Sequence, residues 1–191
     1  FQPGKMNAGS GGTIRIEGGT VNATGNGGAA GIGGGFSLYG KGGQGGNIII
    51  SGGTVNVTVT GGGAGIGGGS TGITSKTDLR GGLAGNYLQT GGTVTVHSED
   101  GAGIGSAAYC NDKRGDDNRV QISGGSVTVT STGKGAGIGG GYAGWMPDVW
   151  LTSNDNVSAG TAVVKCTAVD GAGIGGGMEM QNLGDLNINA K

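Results

Sequence analysis

Apolar and polar residues alternate along this chain in short bursts that stop and restart at paired glycines. Ile14 and Ile16, Ile48 and Ile50, and Val120 and Ile122 sit two apart just before a Gly-Gly pair, while Val55, Val57 and Val59 sit two apart just after one. Alternation of this kind in β-branched residues predicts strands with one face buried. The corner itself recurs as Ile16-Glu-Gly-Gly-Thr-Val21, Ile50-Ser-Gly-Gly-Thr-Val55, Gln89-Thr-Gly-Gly-Thr-Val94 and Ile122-Ser-Gly-Gly-Ser-Val127, with a degenerate copy at Val157-Ser-Ala-Gly-Thr-Ala162. No stretch shows the 3.6-residue apolar period of a helix, so essentially no helix is expected.

After each strand pair comes a Gly-Ala-Gly-Ile-Gly-Gly-Gly-like run, whose isoleucines are Ile32, Ile66, Ile104, Ile138 and Ile174. Their spacings of 34, 38, 34 and 36 residues fall in the range of solenoids, propellers and arrays. Each repeat reads as strand, Gly-Gly corner, strand, short third strand in the glycine run, and variable loop. Stacking such units about 4.8 Å apart pairs every strand in parallel with its counterpart. The expected fold is all-β: a right-handed parallel β-helix of five three-sided coils plus the first strand of a sixth at Leu186 and Ile188, with the loops along one edge. Residues 1–191 read as a single domain.

In this register Val21, Val55, Val94, Val127 and Ala162 form one inward column, beside Ala23, Val57, Val96, Val129 and Val164; Gln89 is its polar misfit. The outward residues of the second strand are Thr20, Asn22 and Thr24, then Thr54, Asn56, Thr58 and Thr60, then Thr93, Thr95 and His97, then Ser126, Thr128 and Thr130, then Thr161, Val163, Lys165 and Thr167. Neither end carries an obvious cap, so neighbouring domains of a longer chain or an oligomeric contact are expected there.

Composition narrows the partners. With 53 glycines but 2 prolines and no glycine at every third position, collagen is excluded. A net charge of −1 without a basic block is not the footprint of a nucleic-acid binder. No stretch approaches the roughly 18 apolar residues that span a bilayer, so membrane insertion is not expected. Two cysteines, Cys110 and Cys166, fit neither a disulfide-dense scaffold nor a paired-Cys zinc site, and their pairing is left open.

The phrase Gly-Gly-Thr-Val-x-Val-Thr followed by Gly-Ala-Gly-Ile-Gly-Gly-Gly resembles the glycine-rich β-helical repeats of large bacterial cell-surface proteins, from about Thr13 to Lys191. The third run departs, as Gly101-Ala-Gly-Ile-Gly-Ser-Ala107, and the fifth strand pair is irregular near Asp155. The resemblance implies an adhesin-like, exported protein located outside the cell, and brings no catalytic residues.

Four kinds of candidate chemistry follow. The run Gly63-Ala-Gly-Ile-Gly-Gly-Gly69 contains a Gly-x-Gly-x-Gly-Gly match to nucleotide-binding loops, but the phosphate cradle needs a following helix, so the run is read as structural. Aromatics fall just after the glycine runs, at Phe36, Tyr39, Tyr109, Tyr142, Trp145 and Trp150, with Tyr87 closing another loop. Phe36 and Trp150 are read as covering the core edge or anchoring their own loops; Tyr142, Trp145, Tyr109 and Tyr39 are the candidates for stacking on sugar rings. The threonine ranks, above all Thr20, Thr24, Thr54, Thr58, Thr93, Thr95, Thr128 and Thr130, resemble the surface of ice-binding proteins, although β-propensity alone also favours threonine there. Acidic residues in Asn111–Asn118 lack EF-hand spacing, with Lys113 and Arg114 competing for them, and read as a solvated turn. Asp100 and Asp170 each precede a glycine run at equivalent coil positions and read as corner residues.

His97 has no second histidine with which to hold a metal, and no metal, cofactor or catalytic residue is assigned. The expected function is a non-catalytic extracellular module that binds carbohydrate or a host cell-surface glycoprotein through the loop edge. The alternatives are ice binding on the threonine face and a polysaccharide-active enzyme of the β-helix type.

Overall fold

The computed structural model describes residues 6–72, 81–110, 118–151, 162–179 and 184–188, and every regular element among them is a strand. The first coil holds β1 (Thr13–Ile16), β2 (Thr20–Gly25) and β3 (Ile32–Gly33), and the second β4 (Asn47–Ile50), β5 (Thr54–Val59) and β6 (Ile66–Gly67). The third holds β7 (Asn86–Gln89), β8 (Thr93–Ser98) and β9 (Ile104–Gly105), and the fourth β10 (Arg119–Ile122), β11 (Ser126–Ser131) and β12 (Ile138–Gly139). The fifth holds β13 (Asp148–Leu151), β14 (Val163–Ala168) and β15 (Ile174–Gly175), and β16 (Leu186–Ile188) opens a sixth.

Equivalent strands stack into three sheets, ordered β1-β4-β7-β10-β13-β16, β2-β5-β8-β11-β14 and β3-β6-β9-β12-β15. Every pairing in them is parallel. The molecule is therefore a parallel β-solenoid: five strand triads joined by four coil-to-coil steps. The alternation in the sequence becomes a buried–exposed alternation, clearest in β5, where Val55, Val57 and Val59 face in and Thr54, Asn56 and Thr58 face out.

Two glycine positions hold this geometry. The second glycine of each corner in the first four coils is left-handed, as at Gly53 with φ +81°, where an L side chain is strained. The glycine after each isoleucine is also at positive φ, as at Gly67 with φ +138°, and a Cβ there would run into the Gly105 carbonyl of the next coil. The narrow interior that results is filled by Ile32, Ile66, Ile104 and Ile138 and by Val55, Val94 and Val127 beside Val57, Val96 and Val129, all 8% exposed or less, with Ile174 half-buried at the end of its column.

The structure corrects the expected register in the fifth coil. Val127 pairs with Val164 and Val129 with Cys166, two residues further along than the expected Ala162 and Val164. The expectation counted forward from the Gly-Gly corner, which is degenerate here and lies mostly outside the described residues. The glycine run is the better fiducial: the inward residue of that column stands 11, 11, 10, 11 and 10 residues before its isoleucine at Val21, Val55, Val94, Val127 and Val164. The serine departure after Ile104 shifts nothing, since Ile104 pairs with Ile66 and Ile138 in register.

A second correction concerns Tyr87. It closes no loop but lies in β7, facing the core at 2% exposure. Its hydroxyl donates to Gln89 Oε1 at 2.6 Å, and Gln89 Nε2 reaches the Ser126 carbonyl at 3.5 Å. The polar misfit of the sequence is thus one member of a buried pair.

Candidate functional site

The loop edge takes two forms, set by the residue five positions after each isoleucine. In the first two coils this residue is Ser37 or Thr71, and the two form a parallel bridge on an extended path. Their hydroxyls secure that path: Ser37 Oγ donates to the Met6 carbonyl at 2.6 Å, and Thr71 Oγ1 to that of Gly40 at 2.9 Å. In the next three coils the residue is Tyr109, Ala143 or Glu179, each left-handed with φ of 58°, 47° and 56°, and the chain turns tightly instead. A non-glycine residue in this region is held only where its surroundings enforce it. Here a backbone ladder does so: the amides of Tyr142 and Met178 donate to the carbonyls of Asp100 and Lys134, and the amides of Tyr109 and Ala143 to those of Tyr142 and Met178, all at 2.7–2.8 Å.

That ladder brings the candidates together. The Tyr109 and Tyr142 rings meet edge to face, with centroids 5.2 Å apart and planes at 76°. Lys134 Nζ stands 4.5 Å over the Tyr142 ring, a cation–π contact. The Tyr142 hydroxyl donates to Glu179 Oε2 at 3.2 Å, and Asp100 Oδ1 accepts the Lys134 amide at 3.2 Å. Burial first, then Tyr142, Asp100 and Glu179, raise the Tyr109 pKa, with Lys134 opposing, so its phenol is a donor at neutral pH. Half-buried Trp145 adjoins the pair through its amide, which donates to the Cys110 carbonyl at 3.0 Å.

Tyr39 is not part of this corner. It lies on the first coil, 51% exposed, near Phe36 and Leu38, which are 38% and 54% exposed. The Phe36 ring lies against Gly28 in the same coil. Trp150 lies on β13 rather than in a loop, with Arg119 4.5 Å over its ring. Lys134 and Glu179 were not singled out from the sequence; counting four residues back and five forward from Ile138 and Ile174 finds them.

The threonine face is outward as expected. Thr20, Thr54, Thr93 and Ser126 form one rank, and Thr24, Thr58, His97 and Thr130 another, with Thr95 and Thr128 continuing the rank of Asn22 and Asn56. Asn56 Nδ2 donates to Asn22 Oδ1 at 2.9 Å, while Lys165 and Val163 end two ranks in the fifth coil. Of the run Asn111–Asn118, residues 111–117 lie outside the described residues, as do Asp155 and Thr161, while Asn118 is described and is buried rather than solvated. No disulfide joins the two cysteines; Cys110 is buried, and Cys166 faces the interior, where burial pushes its thiol up to about 11. Among the described residues no three metal-binding side chains cluster, and no helix is long and apolar enough to cross a membrane.

A family model described as a β-helix repeat matches residues 14–36, 90–108 and 120–142. The first match runs from β1 through β3, the second from β8 through β9, and the third from β10 through β12. No curated protein and no solved structure matches the chain. Repeat model and stacked coils agree that this chain carries a β-helical repeat region.

Proposed function

We propose that the protein is a non-catalytic, extracellular binding module of the adhesin-like kind borne on bacterial cell surfaces, and that it recognises carbohydrate or glycosylated surfaces. The observation that carries this reading is the Tyr109–Tyr142 corner: two half-buried rings in edge-to-face contact, with a carboxylate on one hydroxyl, on a left-handed turn. Aromatic faces take the apolar side of a sugar ring while the neighbouring phenols and carboxylates take its hydroxyls, and a rigid scaffold lowers the ordering cost of binding. The glycine-rich run serves the scaffold and leaves the corner for recognition.

A broad glycan array tests the proposal, with the Tyr142→Ala/Trp145→Ala variant alongside. Selective binding that is lost in the variant, with its β-sheet circular dichroism retained, supports the module. Equal binding by both proteins removes the aromatic corner from the reading.

Ice binding is the second reading, favoured by the Asn22–Asn56 bond and by the rank of Thr20, Thr54, Thr93 and Ser126 on a five-stranded sheet. It requires thermal hysteresis that disappears in Thr58→Tyr. His97 and Lys165 break the ranks that such a surface needs.

A further inference from the structure

The position four residues before each isoleucine is occupied by Gly28, Gly62, Asp100, Lys134 and Asp170. Because the isoleucines stack in register, these residues form a column along the solenoid, about 4.8 Å per coil. Residue Lys134 therefore stands between Asp100 and Asp170 along the stack, with its amide on Asp100 Oδ1 and with Glu179 on the hydroxyl of the ring that its ammonium covers. Three carboxylates against one ammonium leave these four groups with a formal charge of −2. The arrangement already holds a cation over an aromatic face among carboxylates, and that cation is on a flexible stem.

We propose that the ligand class of this corner is an amine-bearing glycan, a polymer of unacetylated hexosamine units, whose ammonium takes the place over Tyr142 that Lys134 occupies in its absence. The inference rests on the carbohydrate reading above and names its substrate class. The sugar ring supplies hydroxyls for the Tyr109 and Tyr142 phenols, and its ammonium meets Asp100, Asp170 and Glu179. Carboxylated or sulfated sugars meet the same negative field and are excluded by it. Lys134 is an internal competitor: it keeps the carboxylates partly neutralised in the empty corner and swings aside when the ligand cation arrives.

Calorimetric titration at mildly acidic pH, where the sugar amine is charged, tests this with matched oligomers of glucosamine, N-acetylglucosamine, glucose and glucuronic acid. The glucosamine oligomer should bind about tenfold more tightly than its acetylated counterpart, a preference that added salt weakens. Glu179→Gln should reduce that preference, and Lys134→Met should tighten glucosamine binding, with unchanged circular dichroism in both variants. Equal affinity for the amine, acetylated and neutral oligomers, lost in Tyr142→Ala, overturns the amine assignment and keeps the carbohydrate reading. Preference for glucuronate, or loss of binding in Lys134→Met, makes Lys134 a ligand for anions and overturns the proposal. Silence with every oligomer overturns both.

Discussion

Replacing Tyr87 by phenylalanine removes one oxygen from the interior of the solenoid, and the structure fixes what that oxygen does. Tyr87 and Gln89 are 2% and 0% exposed, and their 2.6 Å hydrogen bond is the polar contact that lets two polar side chains face an otherwise aliphatic channel. Without the hydroxyl, Gln89 Oε1 loses this donor in a site closed to water, a loss of about 1–3 kcal/mol. Gln89→Ile orphans the Tyr87 hydroxyl instead and costs a similar amount, about 1–3 kcal/mol. Gln89 stands between Ile50 and Ile122 in its column, so Tyr87→Phe/Gln89→Ile completes an unbroken isoleucine stack and should be near neutral or stabilising. The two substitutions are thus coupled by the whole cost of an orphaned group. Urea unfolding of the four proteins followed by far-ultraviolet circular dichroism measures that coupling; for a chain of this size each kcal/mol also moves the melting temperature by about 2–4 °C. Additive losses in the double variant would refute the argument, because they would mean that the two side chains are satisfied independently.

Glycine substitutions should separate by position. Gly67→Ala places a methyl group against the Gly105 carbonyl at positive φ and should cost about 2–4 kcal/mol, whereas Gly18→Ala, with nothing within 4 Å of its Cβ and no positive φ, should be neutral or stabilising by up to about 1 kcal/mol; thermal melts compare them. Alkaline pH should destabilise the fold. Burial raises the Cys166 pKa from 9.0 to about 11, so the native thiol holds its proton more tightly than the unfolded one; stability is intact below 9.0 and falls as pH rises towards 11. Burial shifts Tyr87 in the same direction, extending the fall above its ordinary 10.0, and urea midpoints of Cys166→Val and Tyr87→Phe should each show a shallower decline. Ile104→Ala empties a fully buried position between Ile66 and Ile138 and should cost about 2–5 kcal/mol in the same urea assay.

Alternation and repeat spacing made the solenoid legible because each is a direct consequence of stacking: inward positions must be apolar, and each coil must consume a similar length of chain. The register of the fifth coil escaped because the Gly-Gly corner used as a ruler is itself degenerate there, while the glycine run that fixes Val164 is intact. Tyr87 escaped because an aromatic near a glycine run reads as a loop residue, and only the pairing of β7 with β4 and β10 shows it beside Ile48 and Val120. The candidate corner was half legible. Its aromatic members stand out in a chain with 8 aromatics, but Lys134 and Glu179 are ordinary surface charges until coil stacking brings them to Tyr142.

The same stacking explains why aromatic and charged side chains gather at this corner. Inside, each side chain packs against its counterparts above and below, and most inward positions hold valine or isoleucine, the polar ones being Gln89, Ser98 and Ser131. On the outward face of the second sheet, side chains stand in ranks, and β-propensity favours small hydroxyl residues in every coil. At the turn after the glycine run the coils are again joined by main-chain bonds, here outside the packed interior: the amides of Ser70, Ala108, Tyr142 and Met178 donate to the carbonyls of Gly28, Gly62, Asp100 and Lys134 at 2.7–2.8 Å. A bond between backbones is indifferent to the side chains it carries. Serine, alanine, tyrosine and methionine therefore occupy one column, and glycine, aspartate and lysine the other, without disturbing the isoleucine register between them. Rigid in backbone and unconstrained in side chain, this turn lets rings and charges be set beside each other coil by coil, and the third to fifth coils have set two tyrosines, a lysine and three carboxylates there.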